Sequence, residues 1–449
     1  MRRVLIANRG EIALRIVRAC AEFGVESVAV YSDADAGSRS AQTATASISI
    51  GGAHAKQSYL NREVLIQAAR ATDCDALHPG YGFLAEDAEF ARACAKGGIT
   101  FVGPPPEAIE AMGDKIAAKE FAARAGVPLV LGGTIDANAD LPSVAQKLPY
   151  PVLLKAAAGG GGRGMRIVER ASDFPGSLVQ ARSEAKEAFG DGTVYWETYV
   201  RNARHIEVQV LSDAHGNHVH LGERDCTLQR RHQKLIEETP SPVVSQDTRR
   251  ELCATAVELV RALDYRGAGT IEFLFDADRG SVHFIEMNTR IQVEHPVTEE
   301  VTGIDLVVEQ LRIASGLPMN LDRIRRAPRG HAIECRINAE DPALGFVPTP
   351  GRLTRFVLPG GPGVRVDTHC EVGSLISPYY DSIIGKLIVW DVDRESARLR
   401  MIRALREFVV EGVATTIGFH LGVLQSPEFI ECRYNTRWIG ERQLQEISA

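Results

Sequence analysis

The stretch Pro151-Val152-Leu153-Leu154-Lys155-Ala156-Ala157-Ala158-Gly159-Gly160-Gly161-Gly162-Arg163-Gly164-Met165-Arg166-Ile167-Val168 decides what kind of fold this chain can adopt. It holds a formal G-x-G-x-x-G match, which in a dinucleotide-binding unit leads from a strand into a helix. Here apolar strand-like segments stand on both sides, Pro151 to Ala156 before the glycines and Met165 to Val168 after them. Strand, glycine loop and strand make a hairpin. Its bare amides can form an anion nest over phosphates, and Lys155 and Arg163 add positive charge. The plainer alternative is a surface hairpin that binds nothing. No G-x-x-x-x-G-K-[ST] occurs, so the chain is not a P-loop protein.

Upstream, Val4 to Ala7 reads as a short strand, Glu11 to Phe23 as a helix closed by Gly24, and Ser27 to Tyr31 as a strand. That βαβ order predicts a parallel sheet. Its first turn, Ala7-Asn8-Arg9-Gly10-Glu11, lacks the spaced glycines that a pyrophosphate needs there. A second unit spans about 60–102 and contains His78-Pro79-Gly80-Tyr81-Gly82-Phe83; a helical stretch from Pro106 to Ala125 follows.

Downstream, strands are expected over Ile206 to Leu211, Thr270 to Phe275, Val282 to Met287 and Gly385 to Trp390, with a helix over Thr248 to Leu263. Glu286 and Asn288 share a strand face, and Glu272 lies on the preceding strand. Two carboxylates facing each other on apolar strands repel and are costly to bury. Magnesium would resolve this, taking oxygen ligands from the carboxylates and from phosphates. The alternative is that each Glu pairs with a Lys or Arg. If the chain stays extended, Arg290, Gln292 and Glu294 continue that face: a planar donor for an anion, an amide and a base. This set suits bicarbonate. Arg336 on its own apolar strand is a second anion candidate, unless it is tied up by Glu340 or Asp341. His215-Gly216-Asn217-His218-Val219-His220 is a hairpin tip and not a metal site.

Composition sets outer bounds. A chain of 449 residues needs two to four domains. A net charge of -7 argues against nucleic acid and acidic membranes as partners, so the basic run Arg230-Arg231-His232-Gln233-Lys234 is read as serving a small anion. Eight scattered cysteines without a C-x-x-C pair suggest reduced thiols in a cytoplasmic protein. No apolar run is long enough for a signal peptide or a membrane span.

Taken together, Ile6 to Ala13, His78 to Leu84, Met112-Gly113-Asp114-Lys115, the glycine loop, Glu223 to Lys234 and Phe284 to Glu299 resemble the biotin carboxylases of the ATP-grasp superfamily. The resemblance implies an α/β protein: an N-terminal parallel-sheet domain (1–112), a helical linker (113–128), a small α+β lid domain (129–200) and an ATP-grasp core with a mixed C-terminal domain (201–449). It implies ATP contacts from Lys115, Lys155, Gly160, Gly161, Gly162, Glu197, Val200, His205, Gln229, His232 and Lys234. It implies Mg2+ (or Mn2+), as two ions, on Glu272, Glu286 and Asn288. Arg290, Gln292 and the Val293 backbone would hold bicarbonate, with Glu294 as its base. Arg336 would steady the biotin enolate, and Tyr81 would border that substrate. Lys234 is counted with the catalytic groups.

The implied activity is ATP-dependent carboxylation of biotin through carboxyphosphate, the first half-reaction of an acetyl-CoA or related acyl-CoA carboxylase in fatty acid synthesis. The chain carries no Met-Lys-Met, so the biotin is expected on a separate biotin carboxyl carrier protein. Carboxyltransferase subunits and a second copy of the chain are the other expected partners. Another ATP-grasp ligase, of the carbamoyl-phosphate or purine-pathway kind, would share the lysines and metal carboxylates but not Arg290 to Pro296. A nucleotide-binding scaffold would not need Lys234, Glu286 and Arg290. Three departures from the family pattern stand out: Thr198 in Glu197-Thr198-Tyr199, where Lys is usual; the uncharged segment Ala41 to Ser47; and Ala156-Ala157-Ala158, where the glycine run usually starts sooner.

Overall fold

The computed structural model describes residues 1–136, 140–157, 165–324 and 328–441. The glycine loop, including Gly160, Gly161 and Gly162, lies outside the described residues.

Strand β1 (Arg3–Ile6) shows why a short apolar run founds the first sheet. Val4 and Ile6 enter one hydrophobic cluster, while Leu5 and Ala7 enter another on the opposite face. A strand covered on both faces suits a parallel sheet. The order is β3–β2–β1–β4–β5, with β2 (Glu26–Tyr31), β3 (Ala46–Ser49), β4 (Ala76–His78) and β5 (Thr100–Phe101). All four pairings are parallel. Helix Gly10–Phe23 ends at Gly24, whose φ of 81° is the left-handed cap glycine permits. Strand β3 falls within and just after the uncharged segment; being polar and mostly exposed, it gave no hydrophobic pattern to read.

The sheet order reverses at β1, so the loops after β1 and β4 lie side by side at the strands' carboxyl ends, where open α/β sheets bind ligands. Asn8 ties them together: its Nδ2 donates to the carbonyls of Pro79 at 2.6 Å and Tyr81 at 2.8 Å. Gly80 has φ 63°, and a Cβ there would lie 2.9 Å from that same Nδ2.

The helical stretch after the sheet is two helices, Pro106–Gly113 and Lys115–Arg124. Asp114 makes the break. Its backbone is extended, and its carboxylate accepts from the amides of Ile116 and Ala117 at 2.9 and 2.8 Å.

The next sheet has the order β6–β9–β7–β8, from β6 (Gly132–Thr134), β7 (Val152–Ala156), β8 (Met165–Val168) and β9 (Val194–Thr198). Alternation splits its faces. Val152, Leu154 and Ala156 pack on helix Phe174–Phe189, leaving Leu153, Lys155 and Glu197 to line a cavity.

The third sheet is antiparallel and has eight strands. Six are β10 (Ala203–Ser212), β11 (His218–Arg230), β12 (Gln233–Thr239), β13 (Gly267–Asp276), β14 (Ser281–Asn288) and β15 (His331–Asn338). Strands Ile383–Asp391 and Val364–Thr368 complete it. Ile206, Val208 and Val210 pack under helix Gln246–Ala262, so His205, Glu207 and Gln209 face the other way. The expected hairpin tip is present between β10 and β11, where the Asp213 carboxylate accepts from the amides of His215 and Asn217. Among the described residues no helix is long and apolar enough to cross a membrane.

One local expectation fails. Residues 289–294 are not a continuation of β14, which ends at Asn288. His295-Pro296 starts a helix, His295–Thr302, and Glu294 bends the chain into it with φ -81° and ψ 11°. Proline at the second helical position favours that bend. Arg290 and Gln292 still reach the β13–β14 face, by a turn and not by strand alternation.

Candidate active site

A cavity of about 910 Å³ opens between the second and third sheets, bordered by the loop after β4. It is lined by Tyr81, Lys115, Lys155, Glu197, Val200, His205, Gln229, His232, Lys234, Glu272, Glu286, Asn288, Arg290, Gln292, Val293 and Arg336. Of the described candidates only Glu294 is absent from the wall. It is fully buried behind it.

Glu294 is the hinge of the charge network. One carboxylate oxygen lies 2.6 Å from Lys234 Nζ and the other accepts from Arg336 Nη2 at 2.9 Å. Burial and Glu207 oppose its ionisation, but Lys234, Arg336 and Arg224 more than offset them and hold the carboxyl below its ordinary value. Glu294 is therefore a carboxylate at neutral pH. Arg336 shares its guanidinium with Glu237, 2.6 Å from Nε, so the alternative of a structural pair with Glu340 or Asp341 does not hold.

Lys234 also meets Glu207 at 2.5 Å and Glu272 at 2.9 Å. Burial alone would lower its pKa; the three carboxylates reverse this and raise it well above the ordinary value. Burial and Lys234 would lower the His205 imidazole, but Glu272 at 3.2 Å and Glu207 at 3.6 Å outweigh them and raise it to about 9. His205, Glu207 and Glu272 bring ligand atoms within 4.8 Å of one another, but the Lys234 ammonium already sits against two of them.

Glu272 and Glu286 are register partners across β13 and β14. Each also has a cationic partner: Glu272 meets Lys234 and His205, and Glu286 has Lys115 at 3.6 Å. The Asn288 amide bridges, donating to Glu272 at 3.0 Å and accepting from Arg290 at 2.9 Å. Two adjacent carboxylates and an amide are hard oxygen donors, which fits magnesium. Arg290 is aimed by Glu86, whose carboxylate accepts from Arg290 Nε at 2.8 Å and from the Thr289 amide at 3.0 Å. Gln292 accepts from Arg290 at 3.0 Å and donates to Glu272 at 3.1 Å.

At the other end, three lysines crowd two carboxylates. Lys155 lies 3.1 Å from Glu197, Lys119 contacts the same carboxylate, and Lys115 faces Glu286. Burial, with Lys155 and Lys115, pushes Lys119 down to about 6; burial and Lys115 push Lys155 down to about 8. A polyphosphate placed here restores both charges, so nucleotide binding takes up protons at a pH above the lysines' free values. At pH 8 calorimetry in buffers of differing ionisation enthalpy should show uptake of ~1.5 protons per nucleotide, about one on Lys119 and half of one on Lys155, with affinity falling as pH rises further. Zero uptake or proton release would contradict this arrangement.

The basic run forms the β11–β12 turn. Arg231 and His232 line the cavity with φ of 48° and 65°, a costly conformation for residues other than glycine. Arg230 instead donates to the Gly345 carbonyl at 2.7 Å and stacks over Phe346.

Three family models match in succession: the biotin carboxylase N-terminal domain over 1–109, the carbamoyl-phosphate synthase L chain ATP-binding domain over 114–322, and the biotin carboxylase C-terminal domain over 334–441. A biotin carboxylase of Nostoc is 51% identical over 98% of each chain. The chain belongs to the biotin carboxylase family. Its ATP-binding segment alone is common to other ATP-grasp ligases; the flanking domains separate this carboxylase from them. The crystal structure of a Campylobacter jejuni biotin carboxylase nucleotide complex superposes with a TM-score of 0.95 at 47% identity, covering 98% of this chain and 99% of that one. The biotin carboxylase domain dimer of Hydrogenobacter thermophilus 2-oxoglutarate carboxylase, bound to MgADP, ADP and bicarbonate, gives 0.93 at 44% identity over 100% and 98%. This carboxylase is thus an ATP-grasp enzyme that uses ATP and bicarbonate to carboxylate biotin.

Reading the sequence missed Lys119, Glu207, Glu237 and Glu86. Lys119 is one helical turn from Lys115, and Glu207 alternates with His205 and Gln209, so both had a periodic signal. Glu86 and Glu237 had none, since each meets its arginine only through tertiary packing.

Proposed function

We propose that the cavity carries out the whole first half-reaction on biotin delivered by a carrier protein, with the residues in these roles. Lys115, Lys119 and Lys155 bind the ATP phosphates. His205, Gln229 and His232 face the rest of the nucleotide, beside the backbone of Glu197 to Val200. The glycine loop is assigned to the phosphates on its sequence alone. Glu272, Glu286 and Asn288 hold magnesium, which when bound draws negative charge off the phosphate oxygens.

Arg290, Gln292 and the Val293 backbone hold bicarbonate beside Glu294. Glu294 takes its proton, the freed oxygen attacks the γ-phosphorus, and ADP leaves. The resulting carboxyphosphate breaks down to CO2 and phosphate. Phosphate accepts the ureido proton of biotin, and the biotin nitrogen attacks CO2. Arg336 neutralises the charge that develops on the biotin oxygen, next to the ring of Tyr81. The protein's share is orientation and charge stabilisation.

The single observation that carries this reading is the Glu294 carboxylate held between Lys234 and Arg336, directly behind the loop Arg290 to Val293. A biotin carboxyl carrier protein, carboxyltransferase subunits and an acyl-CoA such as acetyl-CoA as final acceptor complete the proposal. A homodimer is supported by the Hydrogenobacter domain dimer. A cytoplasmic setting is supported by eight free cysteines, seven of them buried.

The deciding assay is ATP cleavage by the full chain with and without bicarbonate, together with transfer of labelled bicarbonate to free biotin and to a biotinylated carrier domain. Cleavage should require bicarbonate. The carrier should far outperform free biotin, because its remote contacts help orient the ureido ring. Cleavage indifferent to bicarbonate would overturn the assignment.

A further inference from the structure

We propose that Lys386 is a positioning residue for the bicarbonate loop: its buried ammonium links the Val293 carbonyl to the Glu11 carboxylate and thereby fixes the peptide that presents Glu294. The strand that carries it, Ile383–Asp391, is otherwise apolar at its centre, and Lys386 is 0% exposed. An ammonium buried so completely needs partners. It has the Val293 carbonyl at 2.9 Å and Glu11 Oε1 at 3.0 Å, with Asp367 farther off at 4.0 Å. Glu11 comes from the first turn of helix Gly10–Phe23 and also accepts from the Tyr81 hydroxyl. The N-terminal domain, the C-terminal strand and the loop before helix His295–Thr302 therefore meet at one charge.

The loop needs such an anchor. Strand β14 ends at Asn288, so no sheet ladder holds residues 289–294. The Gln292 carbonyl lies 2.8 Å from His295 Nδ1, and the next carbonyl, Val293, is the one Lys386 holds. The Val293 carbonyl belongs to the peptide that joins Val293 to Glu294. Fixing that plane fixes the Cα from which Glu294 reaches Lys234 and Arg336. Freed, the peptide can turn, and a misplacement of ~1 Å at a reacting group costs ~10²-fold in rate. The link acts from behind and touches no substrate. The proposal rests on Glu294 being the base that activates bicarbonate.

The test uses the full chain and follows initial rates of bicarbonate-dependent ATP cleavage. Lys386→Met should lower kcat/KM for bicarbonate by ~10²-fold while leaving KM for ATP unchanged. Placed on a Glu294→Gln background, it should cost less than about twofold more, because it acts through the group already removed. Lys386→Met leaves Glu11 buried without its cation and can fail to fold, so Lys386→Met/Glu11→Gln provides the second variant. That pair removes the unpaired carboxylate, still cuts the carbonyl link and should show the same bicarbonate defect. A folded variant with normal bicarbonate kinetics overturns the proposal. So does an equal defect in KM for ATP, or a full further loss on the Glu294→Gln background. If Glu294→Gln is inactive and Lys386→Met is normal, only the positioning role falls. If Glu294→Gln itself is normal, the base assignment falls and takes this role with it.

Discussion

Glu294→Gln should abolish most bicarbonate-dependent ATP cleavage, by ~10²–10⁴-fold, the usual cost of removing a general base. Nucleotide binding should survive, because the phosphate lysines surround Glu197 and Glu286 and not Glu294. The substitution keeps the volume but removes the charge that Lys234 and Arg336 share. It also places an amide N–H₂ against two cationic donors, so at most one of those contacts can re-form. The wild-type carboxyl is held ionised by these cations, which makes it available as a proton acceptor throughout the neutral range. The measurement is phosphate release against bicarbonate concentration, with nucleotide affinity determined separately. Turnover within tenfold of wild type would refute the base assignment.

How much of this was legible in the residues depends on what holds each group in place. The first sheet was readable because Val4 to Ala7 is apolar on both faces, Val28 and Val30 alternate within Ser27 to Tyr31, and the glycine at position 24 closes the helix between them. Strand β3 was not, because an edge strand with one thinly covered face carries no hydrophobic pattern. The facing of Glu272 and Glu286 followed from period-two alternation and a short turn, and the register agrees. Alternation then misled for 290–294, where the helix start bends the chain. Arg290 and Gln292 still line the cavity, Arg290 being pulled in by Glu86. Groups whose partners come from distant segments stayed hidden: Glu237 meets Arg336 across adjacent strands, and Lys386 meets Glu11 across 375 positions of chain. A lysine inside Gly385 to Trp390, a run otherwise read as a buried strand, was the one available hint.

Lys234→Met should be the most disruptive single change in the site, for stability as well as activity. Lys234 is nearly buried and stands within 2.5 to 2.9 Å of Glu207, Glu272 and Glu294. Methionine matches its stem but leaves three carboxylates facing one another without that cation. Removing one partner from a buried ionic cluster costs ~3–5 kcal/mol, because the remaining charges stay desolvated and uncompensated. Arg224 and Arg336 keep Glu207 and Glu294 partly paired, and His205 keeps Glu272. The fold should therefore loosen around β10, β12 and β13 before the N-terminal sheet is affected. Hydrogen exchange would register that as faster exchange confined to those strands. Bicarbonate-dependent cleavage should fall below detection, since Glu294 loses the contact that orients it. Adding Glu207→Gln to this variant should recover part of the stability, because one surplus charge is gone while the glutamine oxygen can still accept from Arg224. It should recover none of the activity. A Lys234→Met variant as stable as wild type would mean that the three carboxylates are neutralised by other means, and the electrostatic account of the site would fail with it.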